Sequence, residues 1–136
     1  ALCANSYVTD EEKNEVREIF ESFGKAEFVA ENMMDVVAGV SGSSPAYVYM
    51  FIEALADSVV KYGIPRQDAY KLAAQTLLGS AKMVLQTGEH PGKLKDNVCS
   101  PAGTTIQGVA ALEEYGFRNA VIKATDKCYE ACTKIK

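Results

Sequence analysis

Residues 94–116 read LKDNVCSPAGTTIQGVAALEEYG, and this stretch carries the strongest signal in the chain. Ser100, Gly103, Thr104 and Thr105 stand immediately before an amphipathic run, residues 106–115, that predicts a helix. The first turn of a helix has unpaired N–H groups and a partial positive charge, so it attracts a carboxylate or phosphate. Glycine permits close approach of such a ligand, and hydroxyl groups add donors. An ordinary helix entry remains open as the alternative, and spacing alone favours it.

Helical spacing extends upstream and downstream of this stretch, from Met33 to near the end of the chain. The run Ser41-Gly-Ser-Ser44 predicts a break between two helices, with Ser44 as N-cap and Pro45 in the next first turn. The pattern predicts helices over residues 33–40, 44–62, 65–86, a short segment after His90, 106–115 and 118–135.

The middle of the 44–62 segment, AYVYMFIEALADSVV, is apolar around nearly its whole circumference. A helix of this kind must be buried on most sides. Either a monomeric bundle encloses it or a second copy of the chain covers it, and periodicity alone leaves both open.

The first 30 residues have a different pattern, with predicted strands over residues 1–7 and 26–30. Between them, Thr9 and Glu12 form a capping box ahead of an amphipathic helix that we expect to stop at Gly24. Two short strands are not stable alone, so we expect further strands of a larger α/β body. No G-x-G-x-x-G motif is present; the nearest approach is Gly39-Val-Ser-Gly42.

Composition narrows the class of protein. The chain has 136 residues, 48% of them apolar, and a net charge of −4, which argues against nucleic-acid binding. No run is long enough for a membrane span. The four cysteines and single histidine, His90, lack metal-ligand spacing, so we expect no metal site. Reduced cysteines favour a cytoplasmic protein.

Several motifs in fixed order resemble the pyrroline-5-carboxylate reductase family: VSGSSPAYVYMFIEALAD (40–57), and residues 63–124, which include GEHPGKLKDNVCSPAGTT. The resemblance implies a mainly α fold of about six helices preceded by a short β-α-β segment. It divides the chain into residues 1–32, a remnant of a dinucleotide-binding α/β domain, and residues 33–136, a helical dimerisation and substrate-binding domain. Chains of this family begin with the dinucleotide-binding half, so we expect this one to be a fragment, inactive alone.

The resemblance also implies an oxidoreductase that makes L-proline from 1-pyrroline-5-carboxylate with NADPH or NADH. Ser100, Gly103, Thr104 and Thr105 would bind the substrate carboxylate, and Thr105 would contact the ring nitrogen as the catalytic residue. Family members often have two glycines in this turn, where this chain has Ala102; alanine is acceptable if its φ is negative.

The resemblance implies further partners: a second copy of the chain, a decamer of five dimers, and a small imino acid, without nucleic acid or membrane. Ser43 and Ser44 would approach the cofactor, although as residues alone they are simply good N-caps. His90 is more typical of a local hydrogen-bonding residue than of a general acid. Two other functions stay open, a non-catalytic helical dimerisation module and another small-acid dehydrogenase of the same two-domain plan.

Overall fold

A computed structural model describes residues 1–134 and confirms a mainly α fold. The chain forms two compact units, one of residues 1–44 with the part of the last helix from residue 124 onward, the other of residues 45–123. The predicted boundary after residue 32 stays a prediction. The helices are α1 (Asp10–Glu21), a 3-10 turn (Glu31–Met33), α2 (Met34–Val37), a π-helix (Ala38–Ser43), α3 (Ser44–Val60), α4 (Arg66–Thr87), α5 (Pro91–Asn97), α6 (Thr104–Glu114) and α7 (Phe117–Lys134).

The two predicted strands pair in parallel, but at a single bridge between Leu2 and Phe28. The Leu2 amide donates to the Glu27 carbonyl at 2.8 Å, and the Val29 amide donates to the Leu2 carbonyl at 2.9 Å. The predictions of strands over residues 1–7 and 26–30 were therefore too long. The reason is the lack of neighbouring strands among residues 1–134, since isolated pairs of short strands are only marginally stable.

The capping box that opens α1 is confirmed. The Glu12 amide donates to the Thr9 hydroxyl at 3.2 Å, and the Thr9 amide donates to the Glu12 carboxylate at 2.8 Å. The helix ends at Glu21, three residues before Gly24, which was predicted to stop it. At the end of α1, the rings of Phe20 and Phe23 are in tilted contact, with 5.6 Å between centroids.

The predicted break at residues 41–44 is wrong, because the chain passes from α2 through the π-helix directly into α3. Ser44 is therefore not an N-cap; its hydroxyl donates to the Val40 carbonyl one turn back. Pro45 explains the wide turn. In an α-helix its ring would meet the carbonyl of residue 41, and its missing N–H would leave that carbonyl unpaired. A π-turn accommodates both defects without ending the helix.

Two glycines end helices as predicted. Gly63 follows α3 with φ of +101°, and Gly88 is the C-cap of α4 with φ of +66°, both in the range that favours glycine. Helix α6 begins at Thr104, two residues earlier than predicted. The predicted end of the last helix at Ile135 lies outside the described residues.

The chain by itself buries little apolar surface. Among the residues that the structure describes, only Ala26, Ala56, Ala69 and Ala73 are buried hydrophobic residues. Within the unit of residues 45–123, helix α3 does pack the ring of Phe51 against that of Phe117, with 5.6 Å between centroids.

Much of the remaining surface of α3 is open. Val48 is 43% exposed, Tyr49 66% and Met50 67%, so the chain alone does not enclose this apolar helix. Across residues 1–134, no helix is both long enough and apolar enough to cross a membrane.

Candidate functional site

The turn before α6 is closed by one hydrogen bond, from the Gly103 amide to the Ser100 carbonyl at 3.0 Å. Its third residue, Ala102, has φ of +57°. A four-residue turn with proline second and a positive φ third is type II, because proline cannot adopt the positive φ that the mirror-image turns need at the second position. The sequence SPAG thus folds into a defined, tight turn.

Alanine at position 102 was expected to have a negative φ, but its φ is positive. This position of a type II turn normally takes glycine or asparagine. A left-handed conformation costs a residue with a Cβ roughly 1–2 kcal/mol. The turn therefore holds local strain at the point where the family resemblance implies a glycine.

Gly103 is needed for space rather than for its own backbone angle. Its φ of −70° and ψ of 169° are accessible to any residue. However, an added Cβ would lie 2.3 Å from the hydroxyl oxygen of Ser100 and 3.1 Å from its carbonyl oxygen. Only a residue without a side chain lets the Ser100 hydroxyl lie against the start of α6.

The N-terminus of α6 is open to solvent. Gly103 is the N-cap, and no side chain caps the helix. The amides of Thr104, Thr105 and Ile106 belong to the first turn, where intrahelical partners are lacking. Ser100, Thr104 and Thr105 are exposed, and within residues 1–134 their hydroxyl groups have no hydrogen-bond partner.

The structure thus brings together four of the six residues chosen from the sequence, namely Ser100, Gly103, Thr104 and Thr105. Two of them are placed differently from expectation, since Thr104 and Thr105 lie within the first turn of α6 instead of ahead of it. Free amides, three unpaired hydroxyls and the positive end of the helix dipole suit a small anion such as a carboxylate.

Two cationic side chains near this turn are already paired. Lys95 forms an ion pair with Asp96, and this hydrogen bond raises the pKa of the lysine, while burial and the charge of Arg118 oppose the rise. Arg118 donates to Glu113 at 2.5 Å, which raises the pKa of the arginine. Both pairs are at the surface, so solvent screens their charges. Lys93 is the exposed cation of α5.

An open groove of about 490 Å³ runs between α4 and α5. Its lining is mainly apolar, and none of its residues belongs to the turn before α6. The last of its lining residues in sequence is Val98, two residues before Ser100. The lining residues are Ser80, Met83, Val84, Pro91, Leu94, Lys95, Asn97 and Val98.

The other two residues chosen from the sequence, Ser43 and Ser44, belong to the unit that contains residues 1–44. Ser43 is the last π-helical residue, and the Ser44 hydroxyl donates a hydrogen bond to the Val40 carbonyl. The pair Gly39 and Gly42 also lies in the π-helix, so it does not form a glycine-rich turn of the kind that binds phosphates. Gly39 is buried, and a Cβ there would lie 3.4 Å from the Thr125 methyl group.

His90 is a local hydrogen-bonding residue, as the sequence favoured. It is the N-cap of α5, and its Nδ1 accepts the Gly92 amide at 3.0 Å. Among the described residues, no disulfide joins the four cysteines, Cys3, Cys99, Cys128 and Cys132. In the part of the chain that is described, no group of three or more His, Cys, Asp or Glu side chains is placed to hold a metal ion.

Comparison with known families gives one match that covers most of the chain. The family described as pyrroline-5-carboxylate reductase dimerisation matches residues 31–135. A pyrroline-5-carboxylate reductase of Escherichia coli (strain K12) is 62% identical over 135 residues, which cover 99% of this chain and 50% of that protein. One from Synechocystis is 51% identical over 129 residues, 95% of this chain and 48% of that protein. The chain spans about half the length of the curated relatives it matches.

Solved structures of similar proteins share this fold. A pyrroline-5-carboxylate reductase from Coxiella burnetii superposes with a TM-score of 0.94 at 32% identity, over 98% of this chain and 50% of that one. A pyrroline carboxylate reductase from Plasmodium falciparum, determined with NADP bound, gives a TM-score of 0.83 at 38% identity, over 96% of this chain and 52% of that one.

Proposed function

Because the chain belongs to the pyrroline-5-carboxylate reductase family, we propose that it forms part of an oxidoreductase that reduces 1-pyrroline-5-carboxylate to L-proline with NADPH or NADH. This reaction is the last step of proline biosynthesis. The observation that carries the proposal for this chain is the uncapped, exposed N-terminus of α6, with its free amides and hydroxyls. An enzyme acting on a small cyclic imino acid needs such a group of donors for the substrate carboxylate.

In the proposed mechanism the turn before α6 binds and orients the substrate. The carboxylate accepts hydrogen bonds from first-turn amides and from the hydroxyls of Ser100 and Thr104. The Thr105 hydroxyl contacts the ring nitrogen, which becomes the secondary amine of the product. A bound nicotinamide would supply the hydride for the C=N carbon, and a proton from solvent would complete the secondary amine. The protein contributes position and electrostatics to this reaction.

The described residues fit the substrate better than they fit a dinucleotide. The glycines nearest to a phosphate-binding motif, Gly39 and Gly42, lie in a continuous helical segment and provide no open turn. We therefore propose that residues 1–32 are the end of a nucleotide-binding domain and residues 33–136 a helical dimerisation and substrate domain. In this arrangement the part of the enzyme described here is inactive alone. Ser43 would approach the cofactor from the second of these domains.

Self-association is the second part of the proposal. The support is the open apolar surface of α3, where Val48, Tyr49 and Met50 are exposed on different sides of a helix that is apolar on nearly every side. We propose a homodimer, and a decamer built from five such dimers, which native mass spectrometry would distinguish by mass. The absence of a disulfide within residues 1–134 is consistent with the reducing conditions of the cytoplasm, where we propose that the enzyme acts.

The experiment that tests the proposed site uses the complete enzyme and the substitution Thr105→Val, which removes a hydroxyl with little change of shape. Loss of a hydrogen bond in the site is expected to lower kcat/KM for 1-pyrroline-5-carboxylate by about 10- to 100-fold. Thr105→Ser should retain most of the activity. Thr76→Val is the matched control, because the Thr76 hydroxyl only donates to the Leu72 carbonyl of its own helix.

Unchanged kcat and KM in Thr105→Val would contradict the assigned role of this residue. Such a result would support the alternative in which the chain is a non-catalytic dimerisation module. A screen of the complete enzyme against other small imino and keto acids tests the third possibility, a different small-acid dehydrogenase. Preferred turnover of any of these acids over 1-pyrroline-5-carboxylate would overturn the assigned substrate.

A further inference from the structure

The turn before α6 has the sequence of one turn type and the backbone of another. Serine first, proline second and glycine fourth are the preferences of a type I turn, in which the third residue has φ of about −90°. The third residue here, Ala102, instead has φ of +57°, which belongs to a type II turn. Alanine disfavours that left-handed region. The sequence Ser-Pro-Ala-Gly therefore suits a conformation that the structure does not show.

The two turn types differ in the orientation of a single peptide group. Both keep the second residue at φ of about −60°, and both close with a hydrogen bond from the fourth amide to the first carbonyl. Here that bond joins the Gly103 amide to the Ser100 carbonyl at 3.0 Å. Rotation of the Pro101–Ala102 peptide by roughly half a turn, through ψ of Pro101 and φ of Ala102, converts one type into the other.

The segments on both sides of the turn are held in place. Before it, the Val98 amide donates to the Lys95 carbonyl at 3.2 Å, and the Cys99 amide donates to the Asp96 carbonyl at 3.0 Å. After it, the eleven residues of α6 follow directly. A rotation confined to one peptide group disturbs neither segment, so it is the change that this turn can make most easily.

The Pro101–Ala102 peptide itself is not held by a contact. In the described part of the chain, neither the Pro101 carbonyl nor the Ala102 amide has a hydrogen-bond partner. Both residues are exposed. Relative to glycine at the same position, the left-handed penalty on alanine biases the turn toward the flipped orientation by roughly 5- to 30-fold.

The orientation of this peptide decides what the turn offers to an anion. The amide and carbonyl of a trans peptide point in opposite directions, so a flip exchanges a donor for an acceptor on each face of the turn. On the side of the carboxylate site, a donor adds to the first-turn amides of α6 and to the hydroxyls of Ser100 and Thr104. A carbonyl oxygen in its place repels a carboxylate. Backbone strain persists at sites where it is part of binding.

We propose that Ala102 is a positioning residue. The observed orientation of the Pro101–Ala102 peptide is the one that binds the substrate carboxylate, and alanine at this position lets the unliganded turn flip to type I. The proposal rests on the proposed function, because it concerns the same carboxylate site. Substrate selects the strained orientation, so its apparent affinity is scaled by the fraction of turns that are in that orientation.

The first test compares two substitutions at position 102 in the complete enzyme. Ala102→Gly removes the penalty on the observed orientation, so KM for 1-pyrroline-5-carboxylate should fall about three-fold or more with kcat unchanged. Ala102→Val increases the penalty, because β-branched residues avoid positive φ, and KM should rise. Ala110→Gly, at an exposed position inside α6, is the matched control and should leave KM unchanged. A KM that rises or stays constant in Ala102→Gly would overturn the proposal.

The second test uses the wild-type enzyme and does not require any variant to fold. Crystal structures of the complete enzyme, without ligand and with its product L-proline, show the direction of the Pro101 carbonyl. We expect the flipped orientation, alone or beside type II, without ligand, and only type II with L-proline. A single type II orientation in both crystals, with L-proline at the turn, would overturn this proposal and leave the proposed function standing. L-proline bound away from the turn would overturn the proposed carboxylate site together with this proposal.

Discussion

The hydroxyl oxygen of Ser100 occupies the space that a side chain at Gly103 would need, since a Cβ at position 103 would lie 2.3 Å from it. Serine and glycine are therefore coupled across the turn before α6. This coupling, rather than any unusual backbone angle at residue 103, explains why glycine stands there. It also provides a sharp test of the turn.

Gly103→Ala should displace the Ser100 hydroxyl and distort the turn. We expect a loss of at least ten-fold in kcat/KM of the complete enzyme, with most of the effect on substrate binding. The matched control is Gly108→Ala in the same helix, where a Cβ meets nothing within 4 Å. That change should keep activity and gain up to about 1 kcal/mol of stability, because alanine is the better helix former. Equal activity of the two variants would contradict the coupling.

Ala102→Gly should relieve the left-handed strain in the same turn. The relief of roughly 1–2 kcal/mol is partly offset by the greater entropy of glycine in the unfolded chain, about 0.5–1 kcal/mol. We expect a net gain of up to about 1 kcal/mol in the free energy of unfolding, measured by denaturant titration. Ala110→Gly, at an exposed position inside α6, should instead lose about 1 kcal/mol. Destabilisation by both changes would show that Ala102 is not strained.

Met50→Glu tests self-association through the open face of α3. Met50 is 67% exposed in the single chain, and burial of a methionine side chain contributes about 1.5–3 kcal/mol, which a carboxylate forfeits. We expect at least a ten-fold rise in the dimer dissociation constant, measured by analytical ultracentrifugation. Glu15→Gln, at an exposed position in α1, should leave the dissociation constant unchanged. An unchanged constant in Met50→Glu would exclude this face from the interface.

The Thr9–Glu12 capping box should weaken in acid. The Thr9 amide, and then its hydroxyl, donate to the Glu12 carboxylate and lower the pKa of Glu12. A carboxyl with a lowered pKa stabilises the folded state above its ordinary titration range, and that contribution is lost as the pH falls through the lowered value. We expect the amide shift of Thr9 to follow this transition below pH 4.5 in NMR spectra.

Glu12→Gln is the control for this titration, because glutamine retains an acceptor for the Thr9 amide but does not titrate. The Thr9 shift in that variant should be flat over the same range. A shift in Glu12→Gln that matches the wild-type curve would assign the transition to another carboxyl group.

Features decided by a few neighbouring residues could be predicted from the sequence. The box at Thr9 and Glu12 depends on two side chains three residues apart, and Gly63 and Gly88 end helices because their backbone conformation favours glycine. The four residues proposed for the site before α6, Ser100, Gly103, Thr104 and Thr105, lie together because SPAGTT is contiguous. Each of these features needs no information about distant parts of the chain.

Features that depend on competition between local options could not be predicted. Ser44-Pro45 has the pattern of a helix start, yet the same proline is tolerated inside a continuous helix because the turn before it widens. The positive φ of Ala102 follows from closure of the turn. The residue type alone points the other way, because alanine disfavours a positive φ. The strands shortened to one bridge because short strands pair stably only beside further strands, and residues 1–134 contain no others.

The described residues bury only alanines as hydrophobic residues, while many leucine, methionine and tyrosine side chains remain in contact with water. If a second copy covers these side chains, folding and association share one equilibrium, and its position depends on the protein concentration. Dilution alone would then act as a denaturant, and the melting temperature would climb with each increase in protein concentration.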